Sequence, residues 1–177
     1  MKKIVDYIFP KICIGCGTTG DELCADCKKT LESHAEICPV SHRHSADFAV
    51  HIDHRKETAY DGIVIGFSYQ DILKKLILQL KYYHRYAVAD FLVDRLFLVL
   101  STNQTLQRLI KNKKLVVTSI PSHRYRRYFV KGYNQSELLA RGLAKKLGAE
   151  YSPFLTKTKH TRIQAFLSRE KRMSNLE

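Results

Sequence analysis

The sequence predicts an α/β protein, a parallel sheet with flanking helices, carried behind a small N-terminal segment organised by cysteines. Three observations lead there. Four of the five cysteines fall in two closely spaced pairs within the first 27 residues. From Tyr60 onward, short runs of β-formers alternate with amphipathic helical patterns, the order that builds βαβ units. At 177 residues and 45% apolar, the chain is long enough for one ordinary domain and an appendage.

Residues 1–56 are rich in Cys and His and poor in periodic apolar pattern. In "CIGCGTTGDELCADC" (13–27), Cys13-x2-Cys16 and Cys24-x2-Cys27 are separated by seven residues. Each pair can grip one ion, because a CxxC turn points both sulfurs inward, and two pairs complete a tetrahedral four-thiolate shell for Zn2+. Gly15 and Gly17 suit so tight a turn. Beyond this region "CPVSHRHSADFAVHIDH" offers Cys38, His42, His44, His51 and His54. His51-x2-His54 has the spacing of a CxxC pair, and imidazole binds zinc. Two readings stay open: a second metal site built from Cys38, His51 and His54 with His42 or His44, or a set of exposed polar residues left by a decayed one.

Residues 57–177 form the second part. "YDGIVIGFSY" (60–69) reads as a strand. In "DILKKLILQLKYY" (71–83), Ile72, Leu73, Leu76, Ile77 and Leu80 share one helical face, and a second helix fits 87–100. "LVVTSI" (115–120) is a short apolar strand closed by Pro121. Residues 135–147 form a helix with Leu138, Leu139, Gly142, Leu143 and Leu147 on one face. Asn134 at its N-cap, with Glu137 three residues on, resembles a capping box, and Gly148 supplies the stop. "AEYSPFL" (149–155) is a further strand candidate.

The formal charge of +13 is unevenly placed. Residues 1–100 hold 13 basic and 13 acidic side chains, whereas residues 101–177 hold 17 basic and four acidic ones. Such asymmetry suits a polyanionic partner, a phosphorylated small molecule or a nucleic acid, or else a solvated basic surface with no specific ligand. The N-terminus is too short an apolar run for a signal peptide, and Asp6 interrupts it. The most apolar stretch, 91–100, is broken by Asp94 and Arg95 and is far below membrane-spanning length. A cytoplasmic protein with reduced thiols is expected, so the cysteines point to metal before disulfides.

Together these stretches resemble the ComF family, the competence-associated proteins grouped with phosphoribosyltransferases. The matching pieces are the Cys-paired ribbon, "ICP" (37–39), "LKKLILQLKYYHRYAVADFL" (73–92), "SIPSHRYRRYFVKGYNQSELLARGLAKKLG" (119–148) and the tail 156–177. The family's run of a proline, basic residues and Gly-aromatic-Asn-Gln is matched by Pro121, Arg124, Arg127, Lys131 and Gly132-Tyr133-Asn134-Gln135. The resemblance implies a double zinc ribbon followed by a partial type I phosphoribosyltransferase-like domain. It implies a pyrophosphate-side loop with Arg127 or Lys131 as charge contacts, and a mobile tail bringing Arg162 and Gln164 near the ligand. Positive side chains Arg124, Arg126, Arg127 and Lys131 beside a helix N-terminus favour an anion on physical grounds too. Asn134 has two competing roles there, N-cap and ligand contact.

Two departures shape the functional expectation. Ser41 stands where the family repeats cysteine, and no Asp follows Asp94. The acidic strand and Thr-Thr-Gly loop that hold phosphoribosyl pyrophosphate (PRPP) in the family have no counterpart before Glu177. As a truncated, split or short form, the chain is therefore expected to be inactive as a phosphoribosyltransferase, with no catalytic residue assigned; activity with Mg2+ and PRPP would need the full domain. Three functions remain open: such an enzyme, a DNA-uptake protein binding single-stranded DNA or a phosphoribosyl ligand, and a ribbon scaffold recruiting proteins, including competence-machinery proteins. Tyr82, Tyr83, Tyr125, Tyr128 and Tyr133, interleaved with Lys and Arg, suit stacking on single-stranded DNA.

Overall fold

The computed structural model of the chain describes residues 10–112, 114–122, 133–158, 161 and 167–175. These form a mixed, mainly helical fold with a small two-stranded parallel sheet and a ribbon segment at the N-terminal side. The ribbon carries one short helix, α1 (Ala25–Lys29), and two 3-10 turns, Ala46–Phe48 and Ile52–Glu57. Helices α2 (Asp71–Tyr82), α3 (Ala87–Thr102) and α4 (Gln104–Asn112) follow. Then come β1 (Val116–Val117), α5 (Gln135–Leu147), β2 (Glu150–Tyr151) and α6 (Arg169–Ser174).

The helices follow the apolar spacing of the chain. On α2 the buried positions are Leu73, Leu76 and Leu80, three and four residues apart, as one face of a helix requires. On α3 they are Val88, Ala89, Leu92 and Val93. Helix α5 begins at Asn134, whose side chain accepts from the Ser136 N–H, and ends at Gly148 with φ of 63°, a left-handed turn that favours glycine. Its most buried residues are the small Ala140 and Ala144, flanked by partly buried Leu138 and Leu139. Small side chains let α5 approach α3 closely: a Cβ on Gly142 would lie 2.9 Å from Cγ2 of Val93. An ion pair between Lys146 and Asp94 at 2.7 Å ties the same two helices on their outer side.

Strands β1 and β2 pair in parallel, Val116 opposite Glu150 and Val117 opposite Tyr151, with α5 between them in sequence. This is one small βαβ unit, and α5 packs against both strands. Each strand spans two residues rather than the six or seven expected for 115–120 and 149–155. The expected strand at 60–69 does not form. Its backbone packs instead on the ribbon: Val50 N donates to Asp61 O at 2.7 Å and Ile63 N to Phe48 O at 3.2 Å, around an isolated antiparallel bridge Ala49↔Gly62. A β-rich composition fits a pleated surface but does not select the partner, and here the partner is residues 48–50.

The core does not respect a boundary at residue 56. Cys13, Leu23 and Cys27 of the ribbon form one buried cluster with Leu73, Leu76 and Leu80 of α2 and Val88, Ala89 and Leu92 of α3. A second tie joins the ribbon to α4. The Asp47 carboxylate accepts from Gln104 N at 3.0 Å, from Thr105 N at 2.9 Å and from the Thr105 hydroxyl at 2.7 Å, while Asn103 Nδ2 donates to the Asp47 carbonyl. A carboxylate at a helix N-terminus satisfies donors that have no partner inside the helix.

Candidate functional site

The four cysteines of the two CxxC pairs converge. All four Sγ atoms lie within 4.8 Å of one another, with Cys16 and Cys24 at 3.7 Å. A tetrahedron with metal–sulfur bonds of about 2.3 Å has edges of about 3.8 Å, so the donor set fits a four-thiolate zinc site. The first pair sits on a hairpin turn: Cys13 N donates to Thr18 O at 2.8 Å, Gly17 N to Cys13 O at 2.9 Å, and Gly17 has φ of 82°. The second pair opens α1, where the Cys24 sulfur accepts from Cys27 N. Gly15 lets the two halves meet, since a Cβ there would lie 2.5 Å from the Cys27 sulfur.

The thiols are electrostatically unequal. Burial pushes Cys13 up, but the backbone N–H groups of Cys24, Cys16 and Gly15 outweigh it and bring the thiol to about 6. The Thr18 hydroxyl lowers Cys16. Burial, and then the neighbouring sulfurs, push Cys27 up to about 12. Four thiolates cannot share this space without a cation, and a divalent metal removes that conflict by displacing their protons. Cys13 and Cys27 are buried under α2, while Cys16 is exposed. A bound zinc would therefore act structurally, closing the ribbon onto the helical core.

Among the described residues this is the one cluster of three or more Cys, His, Asp or Glu side chains that brings its ligand atoms together. Cys38, His51 and His54 are not gathered in the same way. Cys38 is fully buried. The His51 ring lies between the Ser41 hydroxyl, 3.2 Å from Nδ1, and the His44 carbonyl, 3.0 Å from Nε2. His54 Nδ1 is 2.9 Å from Glu57.

Of the expected ligand residues, Asn134 and Gln135 are described; Arg124, Arg127, Lys131, Gly132, Arg162 and Gln164 lie outside the described residues, as do Arg126, Tyr125 and Tyr128. Asn134 is buried and uses both ends of its amide: the oxygen accepts from Ser136 N at 3.1 Å and Nδ2 donates to Ile120 O at 3.0 Å. Those bonds fix the N-cap role. Gln135 donates to the Lys81 carbonyl at 3.3 Å and borders an apolar groove of about 270 Å3 between α2, α3 and α5. The Tyr133 hydroxyl donates to the Leu80 carbonyl, so the start of α5 is stapled to the end of α2. Sequence reasoning names Tyr82, Tyr83 and Tyr133 as stacking candidates but misses Tyr86 in the turn this staple supports. At the end of α2 and in the turn before α3, Tyr82, Tyr83 and Tyr86 are 56, 66 and 51% exposed, and Tyr86 packs on Tyr133 at 4.9 Å between ring centres. The signal is in the sequence: three tyrosines within five residues, with Lys81 before them and Arg85 among them.

The described part of the basic half is partly neutralised. Lys114 pairs with Glu150 at 2.7 Å and Arg141 with Glu137 at 3.0 Å. No helix among the described residues is long and apolar enough to cross a membrane.

Residues 4–51, which include the four converging cysteines, match the model of a double zinc ribbon domain. Over a greater length, the chain is similar to the DNA utilization protein YhgH of Escherichia coli K12. The two are 28% identical over 162 residues, which is 88% of this chain and 68% of the relative. The proteins of the same name from Shigella flexneri and Escherichia coli O157:H7 are similar to the same extent. No solved structure matches the chain.

Proposed function

We propose that this chain is a ComF-type protein of DNA uptake or utilisation that binds single-stranded DNA. The exposed turn Tyr82–Tyr83–His84–Arg85–Tyr86 would stack bases, and the basic residues beyond 101 would meet phosphates. The observation that carries the proposal is the turn itself: three exposed tyrosines, with Tyr86 packed on Tyr133, interleaved with Lys81 and Arg85. Exposed aromatics beside cations are what base stacking and backbone attraction need. The charge asymmetry of the chain and the DNA-utilisation name of its relatives support the same reading. In this view residues 1–56 are a ribbon region and residues 57–177 a phosphoribosyltransferase-like region, acting in the cytoplasm on DNA and with competence-machinery proteins. Anion contacts would come from Arg124, Arg127, Lys131 and Gly132, with Arg162 and Gln164 from the tail.

The test is anisotropy with a labelled oligothymidine at rising salt. Binding at about 50 mM salt should fall steeply as salt rises, and Tyr83→Ala should weaken it about tenfold, in the range of one lost base stack. No retention at low salt would reject the proposal.

A second reading rests on the βαβ pairing of β1, α5 and β2, an arrangement able to present a loop to a phosphate ester. It is a phosphoribosyltransferase-like site for PRPP with Mg2+. Turnover of PRPP with a panel of bases would favour it, and its absence would leave the DNA reading.

A further inference from the structure

We propose that the second half of the ribbon is a metal-free knuckle, closed by the hydrogen bonds that His51 makes with Cys38, Ser41 and His44, and that the chain takes up one zinc ion where a double ribbon has room for two. The inference concerns the metal content of the ribbon and stands apart from the DNA reading.

The second ribbon keeps the outline of the first. Cys38 N donates to Arg43 O and His42 N to Cys38 O, both at 2.9 Å, so Cys38 begins a hairpin turn as Cys13 does. An antiparallel bridge Ile37↔His44 answers the bridge Ile12↔Thr19. At the positions where two thiolate pairs would converge stand Cys38 and Ser41, then His51 and His54.

Their orientation opposes coordination. A carbonyl oxygen can only accept, so His51 Nε2 carries the proton and donates to His44 O at 3.0 Å. Nδ1 of the neutral ring is then the acceptor for the Ser41 hydroxyl at 3.2 Å. Both ring nitrogens are thus used within the fold. His51 N donates to the Cys38 sulfur at 3.5 Å, and Cys38 has no other thiol beside it of the kind that gathers around Cys13. His54 lies in the turn Ile52–Glu57 and pairs with Glu57 at 2.9 Å. A serine hydroxyl is a poor zinc ligand beside a thiolate or an imidazole. Standing second in the set Cys38, Ser41, His51 and His54, it leaves the site short of donors.

What a metal would supply is supplied otherwise. The Cys38 thiol is fully buried, and Phe48 and Val50 of the same segment are buried too. Ser45 donates to the Ala49 carbonyl at 2.7 Å to close the next turn. The Asp47 carboxylate fastens the whole segment to α4. Hydrogen bonds and a helix cap do here what four thiolates do in the first knuckle.

Two measurements on the full chain decide it. Metal analysis after refolding or purification with excess zinc, followed by dialysis, should return one zinc per chain; two would overturn the proposal. Mass spectrometry of thiol labelling gives the second readout. The zinc-loaded chain should label slowly at all five cysteines. After chelation Cys13, Cys16, Cys24 and Cys27 should label quickly while Cys38 stays protected; Cys38 opening together with the other four would overturn the proposal. His51→Ala should speed Cys38 labelling about tenfold and leave the zinc content at one, whereas a drop in bound zinc confined to one of two ions would contradict it.

Discussion

The two cysteine knuckles are built on similar hairpin turns yet reach closure by different physics. In the first, Cys13, Cys16, Cys24 and Cys27 bring four sulfurs within 4.8 Å, an arrangement that is repulsive once ionised and stable with a cation. In the second, one sulfur is buried among hydrogen-bond donors. Burial pushes Cys38 up, but hydrogen bonding from Ser41 and the backbone N–H groups of His51 and Val40 outweighs it and brings the thiol to about 6. Local backbone geometry is therefore not what makes a metal site. The number of soft donors that the turn can aim at one point decides it.

Removing one sulfur from each knuckle should separate the two most widely. Cys27→Ser should abolish zinc binding and lower stability by about 4 kcal/mol or more, because metal affinity is folding energy in a ribbon and Cys27 also lies in the core shared with α2 and α3. Cys38→Ser should keep zinc and lose about 1–2 kcal/mol. Metal analysis with urea unfolding of both variants checks the pair, and equal zinc loss would erase the distinction.

A smaller effect tests the close approach within the first knuckle. Gly15→Ala puts a methyl 2.5 Å from the Cys27 sulfur and 3.0 Å from its Cβ. It should cost about 2 kcal/mol, as overpacking at a rigid site does, and weaken zinc binding in a chelator competition. The second knuckle should be untouched, with Cys38 as slow to label as in the parent chain.

The smallest effect probes the clamp that holds the second knuckle. The Thr105 hydroxyl, assisted by the Thr105 and Gln104 N–H groups and opposed by burial, holds the Asp47 carboxyl below its ordinary range. A carboxyl depressed on folding binds fewer protons in the folded than in the unfolded chain. Its stabilisation is therefore present above the ordinary carboxylate range and lost as pH falls through the lowered folded value. Asp47→Asn should cost about 1 kcal/mol at neutral pH and make the acid side of the stability profile shallower. Urea unfolding at pH 7 and at about pH 3 measures both; an unchanged acid limb would remove the clamp from the account.

These differences also show which features the sequence could carry. The bounds of α5 were legible because its signals are local: Asn134 at one end and Gly148 at the other. The convergence of the four thiols was legible because CxxC spacing constrains the backbone directly. Asp47 was not, since its partners Gln104 and Thr105 lie more than fifty residues away and nothing in its neighbourhood marks it as a helix cap. Helix α4 was missed with it, for a short polar segment owes its start to that remote carboxylate. The stretch 60–69 shows the reverse error. Its β-formers were read as a sheet strand, whereas its backbone is occupied by the ribbon at residues 48–50. Asn134 was read as serving a cap or a ligand, and the bond to Ile120 that commits its amide could be seen only in three dimensions.

Zinc at the first knuckle should act as the keystone of the core shared by the ribbon, α2 and α3. Thermal unfolding followed by far-ultraviolet circular dichroism, with and without a strong zinc chelator, tests it most directly. Chelation should lower the melting temperature of the helical signal itself, by about ten degrees or more on the usual scale of stability loss for a chain of this size. Helices that melt at the same temperature whether or not zinc is bound would contradict it.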